Sequence, residues 1–330
     1  MKKILVTGGA GYIGAHTVLA LRESGAQVAV LDSLETGFRA AVPADVPFYQ
    51  GDLRDTAFVS SVLAKEQPQA VIHFAANSLV GESMTNPLKY YDNNVGGTRS
   101  LLEAMIAAGT PHIVFSSTAA TYGEPENVPI LETDRTAPTN TYGETKLAME
   151  RMFHWAAQAH GLTYVSLRYF NACGAHPSGT IGEAHNPETH LIPLILQVPN
   201  GKRDFISVYG SDYDTRDGTC VRDYIHVCDL AQAHLLAAEY LLAGGKNDIF
   251  NLGNGKGFTV LEVIKTAEDV VGALIASKLV ERRAGDPAQL VASSQKARDV
   301  LGWNPVKDDL FTIVDSAWKW HKSHKDGYSV

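Results

Sequence analysis

Short apolar or β-branched runs recur through the first half of the chain, at residues 4–6, 27–31, 47–49, 70–74, 112–115 and 164–168, and their length and composition predict strands. Between them lie amphipathic stretches such as residues 58–65 and 97–108, where apolar positions return at helical spacing. Regular alternation of strand and helix predicts an α/β fold with a parallel sheet covered on both faces, and right-handed crossovers make a doubly wound sheet the economical topology. After about residue 175 the rhythm breaks. The segment HPSGTIGEAHNPETHLIP, residues 176–193, is rich in Gly, Pro and polar side chains and reads as one long loop. Beyond it, short strands in FISVYG and DIFNLG mix with helical patterns at residues 229–242, 261–271 and 310–321. The expectation is a first domain over residues 1–175 and a smaller α/β domain over 176–330, interleaved with the first above a cleft at the strand ends.

Composition narrows the class. At 330 residues and 45% hydrophobic content the chain can bury a sizeable core without staples. Its net charge is −8 and its basic residues are dispersed, which argues against a nucleic-acid surface. Cys173, Cys220 and Cys228 are odd in number and lack CxxC spacing, so reduced thiols in a cytoplasmic protein are expected. The start MKKILVTGG reads as a first strand, too short for the apolar core of a signal peptide, and no apolar run reaches the ~18 residues of a membrane span.

The candidate chemistry begins at TGGAGYIG, between the first strand and the first helix, with glycines at 8, 9, 11 and 14. Glycine there permits a tight turn and lets a pyrophosphate approach the backbone at a helix N-terminus. Asp32, at the end of the second strand, is placed to accept hydrogen bonds from an adenosine ribose and to repel a 2′-phosphate, so NAD is expected rather than NADP on a Rossmann-type sheet. Asp52 in YQGDL either faces the adenine or caps the next helix. Ala75 and Ala76 in HFAAN would let the cofactor lie against the backbone.

In TYGETK, Tyr142 and Lys146 stand at i and i+4 and share one helix face. A phenol titrates near ~10 and is a poor base at neutral pH unless a nearby cation favours the phenolate. Lys146 is the candidate cation. Taken alone, so short a pattern also fits a surface helix.

Together these segments resemble the extended short-chain dehydrogenase/reductase family, and within it the enzymes that invert C4 of UDP-hexoses. The shared series runs nearly the whole chain in order: TGGAGYIG, HFAA, YYDNNV, SSTAATYG, TYGETK, LRYFNACGA, GTCVRDYIHV, FNLG and RRAGDPA. The resemblance implies that Tyr142 takes the proton of the sugar 4-hydroxyl, that Lys146 lowers the tyrosine pKa and holds the nicotinamide ribose, and that Thr118 hydrogen-bonds the reacting oxygen. A threonine just past a buried strand also commonly satisfies backbone groups. The implied NAD site comprises Gly8, Gly11, Tyr12, Ile13, Gly14, Asp32, Ser33, Asp52, Leu53, Phe74, Ala75, Ala76, Asn93, Tyr142, Lys146 and Tyr169, with helix capping as the alternative for Asn93. The implied UDP-sugar site comprises Thr118, Asn171, His190, Leu191, Tyr209, Arg222, Tyr224, Arg283 and Asp286. Arg222 and Arg283 match diphosphate-binding arginines, against the alternative of lone surface charges.

Departures from the pattern also inform. Dehydratases of the family place an Asp-Glu pair after the active-site threonine, where this chain has Ala119 and Ala120. Without a second acid and base, return of the same hydride is the open route, so interconversion of UDP-glucose and UDP-galactose is expected. Another UDP-sugar, N-acetylated, pentose or uronate, stays open because Leu290 occupies the pocket-wall position. A non-catalytic NAD-binding sensor is the alternative from another class. His190-Leu191 replaces a common Asn-Leu. His185 and His190 raise the question of a metal, but with no companion acids or thiols recognised, a solvated loop and no metal are expected. A homodimer is implied.

Overall fold

The computed structural model describes residues 2–283 and 286–328. Strand β1 (Lys3–Thr7) leads into helix α1 (Tyr12–Glu23), followed by β2 (Gln27–Asp32), β3 (Phe48–Gln50), α2 (Thr56–Glu66) and β4 (Ala70–His73). Helices α3 (Val80–Thr85) and α4 (Pro87–Tyr90) run through a π-helical turn, Tyr91–Gly96, into α5 (Gly97–Ala108). Then come β5 (His112–Ser116), α6 (Thr141–His160), β6 (Thr163–Tyr169) and β7 (Asn171–Cys173). The second half holds α7 (Leu191–Gln197), β8 (Ile206–Tyr209), β9 (Val221–Arg222), β10 (Tyr224–His226), α8 (Val227–Leu242), β11 (Asp248–Leu252) and β12 (Phe258–Thr259). It ends with α9 (Val260–Val271), β13 (Ser277–Val280), β14 (Gln289–Leu290), α10 (Gln295–Leu301) and α11 (Leu310–Ser323).

Seven strands form one parallel sheet in the order β11-β6-β5-β4-β1-β2-β3. Their central residues are buried on both sides, which is why they read as continuous apolar runs rather than as alternating ones. One face packs on α1 and α8 through Val18, Leu21, Leu230 and Ala237. The other packs on α2, α5 and α6 through Val62, Leu101 and Phe153. The strand order reverses between β1 and β4, the place where an open α/β sheet leaves a crevice at its carboxyl edge.

A separate core joins α7, α9 and α11 to β8 and β10. We propose a division at residues 175/176 with interleaving, because α8 and β11 return from the second half to complete the large sheet. The long loop is shorter than expected. It ends at His190, and Leu191 to Pro193 open α7. Proline is tolerated there because the first-turn N–H groups have no intrahelical partner. Among the described residues no helix is long and apolar enough to cross a membrane.

Candidate active site

The glycine turn is shaped by two distinct demands. Gly8 has φ +74, and a Cβ there would lie 2.5 Å from the Ala75 amide; one on Gly14 would lie 2.1 Å from the Gly8 carbonyl oxygen. Those glycines serve the fold. Gly11 differs, since its Cβ would meet only the Gly8 oxygen at 3.4 Å and otherwise open space. Gly11 precedes α1 without any side-chain cap and α1 has no acid in its first turn, so free N–H groups point outward there.

Asp32 ties the turn to the sheet. One carboxylate oxygen accepts the Ala10 N–H at 2.9 Å and the other accepts the Leu34 N–H at 2.8 Å. Burial raises its pKa, against the pull of these two bonds. The Ser33 hydroxyl accepts the Glu35 N–H at 3.2 Å. Phe74 and Ala75 hang from the Thr7 carbonyl, Ala76 follows them, and Leu53 is buried. Tyr12 donates to the Gly174 carbonyl at 2.6 Å, and Ile13 packs on the core beneath α1.

Two capping alternatives are overturned. Asp55, not Asp52, caps α2, by accepting the Phe58 N–H; Asp52 instead pairs with Arg54 at 2.6 Å, which lowers its pKa. Asn93 caps nothing: it lies inside the π-helical turn and donates to the Asn94 side chain at 3.0 Å. Such turns often sit at functional sites.

The Tyr142 and Lys146 side chains do share one face of α6, whose N-cap Asn140 accepts the Gly143 N–H at 2.9 Å. The Lys146 ammonium lies 5.9 Å from the centre of the Tyr142 ring and 4.8 Å from that of Phe115, and donates to the Ser116 carbonyl at 2.8 Å. Burial drives its pKa down to about 7, opposed by the charge of Glu150. Burial pushes the Tyr142 phenol up to about 12, and it is the hydrogen bond with Thr118 that opposes this. The expected lowering of the phenol by Lys146 is not among the influences on Tyr142 in the protein by itself, where burial and Thr118 set its pKa. Thr118 also accepts the Ala120 N–H at 3.1 Å, so it serves backbone and phenol together. Tyr169 stands beside them, its hydroxyl bonded to that of Ser116.

At the other end of the crevice, Arg222 and Arg283 converge on Asp286, at 2.8 and 3.8 Å. Arg283 also lies over the Tyr209 ring, 4.2 Å from its centre. The reading of Arg222 as a lone surface charge fails, because its side chain is only 14% exposed. Asn171 donates to the Asp223 carbonyl at 3.0 Å, while Tyr224 is buried on the neighbouring strand. His190 and Leu191 begin α7 on a small cavity that Asn171 and Tyr224 also line.

Four residues were missed. Asn94 accepts the Asn77 N–H at 2.7 Å and donates to the Thr145 hydroxyl at 3.0 Å, locking the π turn to α6. Glu150 forms a buried pair with Arg168 at 2.5 Å and faces Lys146; it continues the i, i+4 series of Tyr142 and Lys146, a signal the sequence did carry. Glu183 and Glu188 surround His185 and His190, which corrects the view that those histidines lack acidic companions. Attraction to these carboxylates outweighs burial and raises His190 to about 9.

Known proteins are similar to this chain over its whole length. The chain is 58% identical over 327 residues to the UDP-glucose 4-epimerase of Halalkalibacterium halodurans, covering 99% of this chain and 98% of that one. A solved UDP-glucose 4-epimerase superposes with a TM-score of 0.98 at 53% identity, over 100% of both chains. The Brucella ovis UDP-glucose 4-epimerase, solved in complex with NAD, matches at 47% identity and TM-score 0.94, over 96% of this chain and 98% of that one. The model of the NAD dependent epimerase/dehydratase family matches residues 4–253, and the chain belongs to that family.

Proposed function

We propose that this chain is an NAD-dependent isomerase, a UDP-glucose 4-epimerase interconverting UDP-galactose and UDP-glucose. The observation that carries the reading is the trio of half-buried Tyr142 with buried Thr118 and Lys146 at the carboxyl edge of the sheet, with Ala119 and Ala120 where an elimination would need acids. The chain fits NAD: Gly11 leaves open space at the N-terminus of α1 that a side chain would intrude on, Ala75 and Ala76 are small, and Asp32 ends β2. When bound, NAD supplies a hydride acceptor and a cationic ring.

The protein's own residues do the rest. Tyr142 takes the proton of the 4-hydroxyl as that carbon is oxidised, and returns it when the ketone is reduced on the opposite face. Thr118 holds the reacting oxygen in line with the phenol. Lys146, confined beneath the phenol by the Ser116 carbonyl, provides the fixed positive charge that favours a phenolate when protonated. Arg222 and Arg283 hold the diphosphate while the sugar turns. Tyr209, Asn171, Tyr224, Asp286, His190 and Leu191 line the nucleotide and sugar end.

We further propose a cytoplasmic homodimer. The three unpaired cysteines support the compartment, and exposed Ile106 and Trp155, on neighbouring helices α5 and α6, support a self-association face. A monomeric mass by light scattering would refute the dimer.

Proton NMR of purified protein with UDP-galactose and no added NAD tests the activity. Appearance of the gluco epimer is expected. No conversion with NAD supplied refutes the reading.

A further inference from the structure

The segment between β7 and α7 brings together four side chains, of which the proposed reaction uses only His190, at the lining of the nucleotide end. Glu183, His185, Glu188 and His190 each present one ligand atom, and all four atoms lie within 4.8 Å of one another. The Nδ1 of His185 lies 3.5 Å from Glu183 and 3.4 Å from Glu188; that of His190 lies 2.7 Å from Glu183 and 3.6 Å from Glu188. Ligands about 2.0–2.2 Å from a tetrahedral ion stand roughly 3.3–3.6 Å apart, so both contacts of His185 already match, while the 3.6 Å contact of His190 runs to the Glu188 oxygen that accepts backbone N–H groups.

Two further observations point to a cation. The first is an orphan: the Nδ1 of His185 is fully buried, has no hydrogen-bond partner, and faces both carboxylates. The second is charge. The carboxylates are 2% and 8% exposed, and among the described residues neither is paired with a lysine or arginine. Two buried carboxylates this close need positive charge to offset their desolvation, and among the described residues only the two imidazoles of the cluster are paired with them.

The ligands are also held from behind. The Glu183 carbonyl accepts the indole N–H of Trp320 at 3.1 Å, and the Gly182 N–H donates to the Tyr328 hydroxyl at 3.0 Å. The Glu188 carboxylate accepts the Thr189 and His190 N–H groups at 2.8 and 2.9 Å, leaving its other oxygen toward His185.

We propose that Glu183, His185, Glu188 and His190 form a closed four-ligand site for a divalent transition-metal ion of the zinc class. Two imidazole nitrogens and two carboxylate oxygens suit such an ion better than calcium or magnesium, which prefer all-oxygen shells. With no position left open for water, the site is structural. It fastens the segment whose last residue, His190, starts α7 and lines the cavity beside Asn171 and Tyr224.

The test uses untagged full-length protein, stripped with EDTA and dialysed. Titration with zinc by calorimetry is expected to give one ion per chain, and cobalt is expected to give the intense visible absorption of a tetrahedral site. His185→Ala and Glu188→Gln should each weaken zinc by at least about tenfold, since even outer partners of metal ligands cost 10–100-fold. Zinc should raise the melting temperature of the parent and raise it less in either variant. Sub-stoichiometric uptake, a weak octahedral cobalt spectrum, or affinity unchanged in both variants overturns the site. Should His185→Ala misfold, the more conservative Glu188→Gln decides.

Discussion

At the scale of single residues, burial sets the Tyr142 phenol at about 12, so in the protein alone its proton stays on. Tyr142→Phe removes the proton carrier and leaves the half-buried ring. Turnover should fall by about 10²–10⁴-fold with melting temperature and bound NAD unchanged. Lys146 carries a stability consequence of the opposite sign. Its folded pKa, about 7, lies below the unfolded value of 10.5 because burial disfavours the charge. The unfolded chain therefore binds more protons between those values, and the destabilisation is full below pH 7 and vanishes as pH approaches 10.5. Nucleotide-free Lys146→Met should be more stable than the parent by roughly 2–4 kcal/mol at pH 6, converging with it near pH 10, while losing activity. Melting curves at the two pH values check this; a gap independent of pH would show that the ammonium is not the cause. The pairing of these two side chains was legible from spacing. Their pKa values were not, because desolvation depends on walls such as Phe115 that come from other elements.

Among elements, the glycine turn separates folding from binding. Gly14→Ala drives a methyl into the Gly8 carbonyl and should cost about 1–3 kcal/mol or more. Gly11→Ala meets open space, so the nucleotide-free protein should melt within about 1 kcal/mol of the parent, yet retain little NAD. Thermal melts of stripped protein beside nucleotide content after purification distinguish the two; a Gly11→Ala protein that keeps its NAD would remove this turn from the pyrophosphate site. Sheet strands and amphipathic helices were legible because their periods are local. The π-helical turn was not, since it is imposed by Asn94 reaching back to Asn77 and forward to Thr145. The start of α7 was hidden because Pro193 resembles a loop residue unless its first-turn position is known.

Across the whole molecule the two ends of the crevice come from different halves of the chain. The proposed proton-transfer groups sit on α6 and just after β5, whereas Arg222, Tyr209, Arg283 and Asp286 come from the second half. An epimerase must let the sugar turn without letting the nucleotide leave, so chemistry and anchorage have to be separable. Their kinetic signatures should then differ. Arg222→Met removes a largely buried guanidinium that a diphosphate would share with Asp286, and charged hydrogen bonds of this kind contribute about 1.5–3 kcal/mol. KM for UDP-galactose should rise by about 10–100-fold, with kcat changed far less, because the lost contact holds ground state and transition state alike. Tyr142→Phe should do the reverse. The Arg222→Met enzyme should also show a KM less sensitive to salt than the parent, since one fewer phosphate contact is screened. If Arg222→Met instead lowers kcat with KM unchanged, the arginine acts on the reacting carbon, and the anchor has to be sought elsewhere along the crevice.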